Sequence, residues 1–301
     1  MASGLRLWCV ALVVALWVVS GAIEVRAQTE AQVSRDSLHS WKAGLVARLS
    51  GSQAGYSNWT KGGVNSLSVT SDIDWDLSRR SSAWLQEHSV RLAFGLIKQD
   101  TLEVRKAHDQ IEHSSSLQYR GEGFFRLFNP TIALETRTQF AEGLNYKTNP
   151  FEDGRTPPVK VSDFLSPATF TQTLGLSYDP TDWFIQRFGL AVKQTFVLIE
   201  RFRSLYGVPS SNPIFLEMGL ESRTRFDRNL VENVRLRSTL GLFAAFNSSD
   251  LPDLSWENRA AMKVNSWLGV DLAVDLLYDR DISRALQVKE VFSLGVALVL
   301  L

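Results

Sequence analysis

Residues 64–77 read VNSLSVTSDIDWDL, and this stretch decides the fold class. Its odd positions carry mostly apolar side chains, namely Leu67, Val69, Ser71, Ile73, Trp75 and Leu77. The even positions between them hold Asp72, Asp74 and Asp76. A helix would scatter these aspartates around its circumference, whereas a β-strand places all three on one face. At about 3.3 Å per residue the run is about 40 Å long, so it predicts a strand much longer than the usual ~5–6 residues.

Similar segments recur along the rest of the chain. They cover 41–50, 67–77, 84–98, 109–119, 131–140, 168–178, 183–199, 214–226, 230–246, 254–264, 267–278 and 286–301. Connections of very different length join them. Apart from 120–130, every second connection is short, as at 179–182, 227–229 and 265–266, and the others, up to the proline-rich 143–167 and 279–285 near the end, are longer. Long connections of this kind are usually functional or disordered, and 143–167 either folds inward as a plug or stays outside.

Strands with one polar and one apolar face, joined by alternating long and short connections, are typical of outer-membrane barrels. We therefore predict an all-β fold, an antiparallel up-and-down transmembrane β-barrel of about 12 strands (about 10–14). A soluble β-sandwich is the alternative, because its outward face is polar too.

The N-terminus predicts export. One basic side chain, Arg6, precedes an apolar run over 7–19, and Val25-Arg26-Ala27 offers a cleavage site before Gln28. We assign residues 1–27 to a cleaved signal peptide, 28–40 to a short periplasmic tail and 41–301 to the barrel. A retained anchor is the alternative, although the apolar run is shorter than the ~20 residues that a spanning helix needs.

Charge and motifs limit the functions that we expect. Lys+Arg and Asp+Glu both number 32, so no basic excess points to nucleic acid. The single cysteine, Cys9, lies within the signal peptide, so the mature chain lacks a cysteine nucleophile or a thiolate metal site. G-x-S-x-G, P-loop, G-x-G-x-x-G and H-E-x-x-H motifs do not occur. We expect no cofactor, no metal and no enzymatic activity.

Charged side chains on the inner parity of the strands are the candidate site residues. They are Asp72, Asp74, Asp76, Arg223, Arg225, Arg235 and Arg237. The aspartates form either a cation-attracting wall or ion site, or one side of ion pairs with those arginines across the lumen. Carboxylates two residues apart on one strand lie about 7 Å from each other, too far to chelate one ion alone, so we favour the ion pairs.

The histidines suggest two further functions, metal binding and ester hydrolysis. His108 and His113 fall on opposite faces of a strand, which argues against a shared metal ion. A hydrolase at the membrane edge would need a serine and a histidine, and His88, His113 and the serines at 114–116 are its candidates. Tryptophans near strand ends predict an aromatic girdle at the two membrane interfaces, formed by Trp41, Trp75, Trp84, Trp183, Trp256 and Trp267.

Short motifs in a fixed order resemble a known family. They are Asn58-Trp59 with Gly62-Gly63, Lys106 with Asp109, Ser162 with Phe164 and Pro167, Glu232-Asn233, Trp256-Glu257, Val264-Asn265 and Tyr278-Asp279. The set resembles the DUF3078 family of uncharacterised, predicted outer-membrane β-barrel proteins of Gram-negative bacteria, over about residues 41–301. The resemblance implies an outer-membrane location, with membrane lipids and the outer-membrane assembly machinery as partners, and assigns no activity.

We therefore expect a non-enzymatic, porin-like outer-membrane protein with a narrow or plugged pore, or a structural surface role. The alternatives are an outer-membrane lipid-modifying hydrolase and a soluble secreted or periplasmic β-sheet binding protein.

Overall fold

The alternating segments form strands of 10 to 18 residues that close into a barrel. The computed structural model describes residues 40–54, 64–151, 153–247 and 251–299. The barrel strands are β1 (Trp41–Ala54), β2 (Ser66–Arg80), β3 (Trp84–Gln99), β4 (Arg105–Tyr119), β5 (Asn129–Thr138), β8 (Ala168–Thr181), β9 (Phe184–Phe196), β10 (Ile214–Val231), β11 (Val234–Ala245), β12 (Asp253–Lys263), β13 (Leu268–Asp279) and β14 (Ser283–Val299). A separate two-stranded sheet consists of β6 (Gly143–Asn145) and β7 (Val159–Ser162).

Every barrel strand pairs antiparallel with its neighbours in the ring, and β1 pairs with β14 to close it. That closure runs from Val46 opposite Val299 to Gly51 opposite Leu294. The prediction of an up-and-down barrel of about twelve strands is confirmed, and the closed ring rules out a sandwich of two sheets. Within the described residues, the structure has no helix with the length and apolar character to cross a bilayer.

Strand parity separates an apolar exterior from a polar lumen. On β2 the outward side chains of Leu67, Val69 and Ile73 are 52%, 46% and 38% exposed, whereas Asp72 and Asp74 are buried inside. The same exposed apolar surface continues around the ring, at Ile132, Leu174, Phe188, Leu190, Leu216, Met218, Leu220, Phe292 and Leu294. A barrel with an apolar exterior and a charged interior is the arrangement that a bilayer requires.

The connections alternate between the two ends of the barrel. We call the end with 81–83, 120–128, 182–183, 232–233 and 264–267 the turn end. The loop end carries the other connections, whose described residues are 64–65, 100–104, 139–151, 153–167, 197–213, 246–247, 251–252 and 280–282. The prediction of a long last connection over 279–285 is wrong, because β13 runs to Asp279 and β14 begins at Ser283, which leaves only 280–282 between them.

Two loop-end connections pack together. The 139–167 connection contains the β6–β7 hairpin, and the 197–213 connection contains a 3-10 helix, Glu200–Tyr206. Val197, Phe202 and Val208 are buried in a small core against which other side chains of both connections pack, namely Phe151, Ile199 and Tyr206. The two connections therefore form one ordered unit, which we call the roof.

Aromatic side chains gather at the turn end. Trp84 contacts Tyr119 with ring centroids 5.2 Å apart, and Trp183 contacts Phe226 at 5.4 Å. Trp41 and Trp267 are exposed at the same end. A second 3-10 helix, Gly123–Arg126, occupies the 120–128 connection and exposes aromatic rings beside them. Of the six tryptophans predicted to form a girdle, Trp75 and Trp256 lie inside β2 and β12 rather than at this end.

Candidate functional site: the charged lumen

The three aspartates of β2 lie on its lumen side at successive depths. Asp72 and Asp74 are buried, whereas the side chain of Asp76, nearer the turn end, is 57% exposed to the lumen water. Their alternation with outward apolar residues in one long strand fixes this placement.

Asp74 is the acceptor at the centre of a set of ion pairs. Its carboxylate pairs with Arg48 on β1, with Arg91 Nε on β3 at 3.1 Å and with Arg259 Nη1 on β12 at 3.8 Å. Arg259 also reaches Asp72 at 4.0 Å and Asp271 at 3.2 Å. Since β12 does not neighbour β2 in the ring, the contacts of Arg259 with Asp72 and Asp74 cross the lumen.

Glu257 on β12 also pairs with strands that do not neighbour β12 in the ring. It pairs with Arg91 Nη1 on β3 at 3.6 Å and with Arg137 on β5. Glu112 on β4 lies between those two arginines, at 3.3 Å from Arg91 and 2.6 Å from Arg137. We call the whole set the central network: Arg48, Asp72, Asp74, Arg91, Glu112, Arg137, Glu257, Arg259 and Asp271.

The four arginines singled out from the sequence all face the lumen, but most have other partners than expected. Arg223 pairs with Glu135, Arg225 with Glu87 at 3.2 Å, and Arg235 and Arg237 with Asp227. Only Arg237 also reaches one of the three aspartates, Asp76, at 4.0 Å.

The expected pairing of the aspartates with these arginines is therefore corrected: Asp72 and Asp74 pair with Arg48, Arg91 and Arg259 instead. These lie on the lumen parity of β1, β3 and β12, which the sequence shows. Strand tilt and stagger decide which of them meet at one depth, and the sequence does not show those.

Two further ion clusters line the lumen. Lys193 on β9 contacts Asp253 at 2.6 Å, Glu217 at 3.1 Å and Asp279 at 3.5 Å, near the loop end. Arg187 joins Glu135 at 2.6 Å and Glu221 at 3.3 Å on the wall formed by β5, β8, β9 and β10. Lumen charges are thus mostly compensated by neighbours, and the cost of holding them out of bulk water is offset by those contacts.

The central network separates two cavities of unequal size. The larger has a volume of about 1070 Å³ and runs from Lys42 and Asp227 towards the turn end to Tyr206 and Asp253 at the loop end. The smaller has a volume of about 70 Å³. Arg91 and Glu257 line both, so their ion pair belongs to the partition.

A carboxylate on β4 fixes the roof to the barrel wall. Asp109 accepts hydrogen bonds from the backbone amides of Phe140 at 2.7 Å and Ala141 at 2.9 Å, and from Lys106 Nζ at 2.8 Å. Lys106 Nζ also donates to the Ala141 carbonyl at 2.8 Å. The Asp109 side chain is only 2% exposed. The start of the 139–167 connection is therefore held by Lys106 and Asp109, a motif that the family resemblance rests on.

The roof covers the larger cavity without filling it. Pro167 and Tyr206 line the loop end of the cavity. The Tyr206 hydroxyl donates to the Val161 carbonyl at 3.1 Å, and Arg201 pairs with Asp153 at 2.9 Å, which ties the two roof connections together. Burial raises the pKa of the Tyr206 phenol above its usual value, with an opposing contribution from its hydrogen bond to Ser162.

The described residues do not bring candidate metal ligands together. Among the described residues there is no group of three or more His, Cys, Asp and Glu side chains arranged to hold an ion. His108 faces the lumen, where its Nε2 lies 2.9 Å from Lys289 Nζ and 3.0 Å from Gln110 Oε1. The family-motif residues Asn58, Trp59, Gly62 and Gly63 lie outside the part of the chain that the structure describes.

A family model described as "Protein of unknown function (DUF3078)" matches residues 52–144. The resemblance inferred from the sequence is confirmed over this part of the chain, which contains Lys106 and Asp109, and the match is shorter than the 41–301 expected. No curated protein matches the chain.

Solved barrels resemble the chain at low sequence identity. The COG4313 outer membrane channel from Pseudomonas putida F1 is 10% identical, with 89% of this chain and 99% of that chain covered and a TM-score of 0.36. The translocator domain of the autotransporter NalP from Neisseria meningitidis is 9% identical, with coverages of 98% and 97% and a TM-score of 0.35. The beta domain of the Bordetella autotransporter BrkA is 13% identical, with coverages of 85% and 97% and a TM-score of 0.31.

Proposed function

We propose that the protein is an outer-membrane β-barrel of a Gram-negative bacterium that forms a narrow, polar passage, constricted by the central network and covered by the roof. It reaches the membrane by an N-terminal signal peptide and the outer-membrane assembly machinery, and its exterior is covered by lipid. The role of the lumen in this proposal is non-enzymatic.

The exterior supports the membrane location. An apolar band about 25 Å tall with aromatic rings at its border is what a lipid-facing barrel needs. Leu174, Phe188 and Leu190 expose such a surface, and Trp84 with Tyr119 lies at its turn-end border. In water this surface would be a strong site for aggregation.

Loop lengths support the orientation. Short turns face the periplasm and long loops face outward in barrels of this type. The roof then lies at the cell exterior. The start of β1 and the end of β14 both lie at the turn end, which would then face the periplasm.

The pairing of Arg91 and Arg137 with Glu257 carries the functional proposal. It joins β12 to strands on the far side of the ring, beside the larger cavity of about 1070 Å³. A general porin keeps an open lumen, whereas here opposed walls are bound together by charge. Breaking these contacts should widen the passage and let more ions through.

Planar-bilayer recording tests this proposal. Wild-type protein should give rare, small conductance steps, and Glu257→Gln should raise the open fraction several-fold because both arginines lose their partner on β12. Asp275→Asn is the matched control, since Asp275 is a lumen carboxylate that pairs with Lys289 on the neighbouring strand β14 at 3.3 Å. If refolded wild-type protein and the Glu257→Gln variant are both silent, the passage is rejected and a structural role is favoured.

A further inference from the structure

Three polar side chains meet on the outside of the barrel, where lipid is expected. His88 on β3 and Ser115 on β4 are direct cross-strand neighbours, with His88 Nδ1 2.8 Å from Ser115 Oγ. His113, two residues before Ser115 on the same strand, places its Nε2 2.8 Å from the same oxygen. One serine hydroxyl is thus flanked by two imidazoles.

Register shows which face these side chains share. His88 pairs with Leu77 on one side, and Ser115 pairs with Leu134 on the other, so the row is outward. The inward neighbours Arg91 and Glu112 belong to the central network, at the opposite parity. All three side chains are half-buried, and Ile132, which shares the outward parity of Leu134 on β5, is 58% exposed, so this row lies on the exposed outer face.

Such a cluster is unexpected on a lipid-facing wall. Ionisable groups in the membrane are costly, rare and commonly functional. Histidine contributes little to the stability of an apolar exterior. The hydrogen bonds within the cluster satisfy polar atoms that leucine or valine side chains at these positions would not have. A serine hydroxyl within hydrogen-bond reach of an imidazole is also the arrangement that activates serine as a nucleophile.

The cluster lies at the depth in the bilayer where the acyl esters of phospholipids are found. One side-chain row nearer the turn end, Arg79 lies over the Trp41 ring at 5.7 Å and pairs in register with Gln86. A guanidinium belongs at the headgroup level, where long basic side chains reach the interface. The rows are about 7 Å apart along the strands, so Ser115 lies just inside the headgroups, where glycerol esters begin. Trp41 also contacts His88, with ring centroids 5.9 Å apart.

We propose that Ser115, with His113 as its base, cleaves acyl esters of glycerophospholipids on the lipid-facing surface at the turn end of the barrel. This site rests on the membrane placement proposed above and is independent of the passage through the lumen. His88 is a positioning residue that donates a hydrogen bond to Ser115 Oγ through Nδ1–H.

The reaction balances with water as the co-reactant. Ser115 Oγ attacks the ester carbonyl carbon while its proton moves to His113 Nε2. The bond to the glycerol oxygen breaks, and that proton passes to the leaving oxygen, which gives a lysophospholipid and an acyl-serine. Water then loses a proton to His113, attacks the acyl carbon and releases the fatty acid, and the proton restores the serine hydroxyl.

The test uses full-length mature protein refolded into phospholipid vesicles, with correct folding checked by heat-modifiable gel migration. The readouts are release of labelled fatty acid and covalent labelling by a fluorophosphonate, located by mass spectrometry. We expect labelling at Ser115, and a loss of release of about 100-fold or more in Ser115→Ala and His113→Ala. Ser114→Ala is the matched control, because Ser114 pairs in register with the lumen residue Glu135 and so faces inward, and it should behave as wild type.

His88 is tested by replacement in two ways. His88→Ala should lower kcat, and His88→Asn, which keeps an N–H donor, should retain more of it. Absence of both turnover and labelling in folded wild-type protein would overturn the proposal, as would equal activity in Ser115→Ala. Release from lipopolysaccharide vesicles but not from phospholipid vesicles would overturn the assignment to the turn-end leaflet. The folding check separates these outcomes from failure of the membrane placement itself.

Discussion

Arg137 on β5 and Glu257 on β12 lie 120 residues apart in the chain and form an ion pair across the lumen. Each strand contributes its charge because lumen-facing positions recur at every second residue. The pair brings two walls together that share no backbone hydrogen bonds, since β5 and β12 are not neighbours in the ring.

A double-mutant cycle should detect this contact. We expect Arg137→Met and Glu257→Gln each to destabilise the barrel, and the double variant to lose less than the sum, with a coupling free energy of about 0.5–3 kcal/mol. Urea unfolding in vesicles measures it. Additive losses would show that the two side chains do not interact across the lumen.

Asp109→Asn should release the roof. The amide keeps one acceptor oxygen but loses the charge that receives three donors, and charge-assisted hydrogen bonds are about twice as strong as neutral ones. Trypsin should then cut at Lys147 or Arg155, which are exposed in this connection, several-fold faster than in wild type. Glu103→Gln, in the exposed 100–104 loop, is the control, and unchanged cleavage in Asp109→Asn would contradict the role of Asp109.

The roof should loosen at alkaline pH. Burial raises the folded-state pKa of Tyr206 above the unfolded value of about 10. The folded state then holds its proton more tightly, so this stabilisation is complete below about pH 10 and is lost as the pH rises through the folded pKa. Absorbance titration of wild type minus Tyr206→Phe should give a midpoint above 10. A midpoint at or below 10 would be evidence against burial of this phenol.

The two faces of β2 and β4 should respond differently to arginine. Ile73→Arg places a charge on the outer surface near the middle of β2 and should cost about 2–4 kcal/mol in vesicles. Ser116→Arg points into the larger cavity and should cost much less. Thr70, also inward, is a poor control because it lines the cavity of about 70 Å³. Equal costs at Ile73 and Ser116 in urea unfolding would refute the assigned faces.

The alternation at Leu67–Leu77 and in its counterparts along the chain was sufficient to predict the barrel and its strand number. The alternation of apolar and polar residues is a property of each segment by itself. The alternating lengths of the connections indicate that consecutive strands are neighbours in the barrel. The ion pairs were not predictable to the same degree. Asp74 meets Arg48, Arg91 and Arg259 because of the relative stagger of β1, β2, β3 and β12, a quantity that no single segment contains.

The cluster of His88, His113 and Ser115 was also predictable only in part. The spacing of His113 and Ser115 already puts both on one face of a strand, and that signal was in the sequence. The contact with His88 requires the register of β3 against β4. Similarly, Lys106 and Asp109 stand out as a motif, but their contact with Phe140 and Ala141 depends on the path of a connection whose sequence shows no periodicity.

The pairing of β1 with β14 has a consequence for biogenesis. The two strands that complete the ring are at opposite ends of the barrel sequence, with Val46 opposite Val299. Until β14 has been synthesised and exported, the nascent sheet has two open edges, which are templates for aggregation. Contacts of such long sequence separation also form slowly. The unclosed chain is therefore a long-lived target for periplasmic chaperones and proteases, and truncation within β14 should cause degradation before insertion.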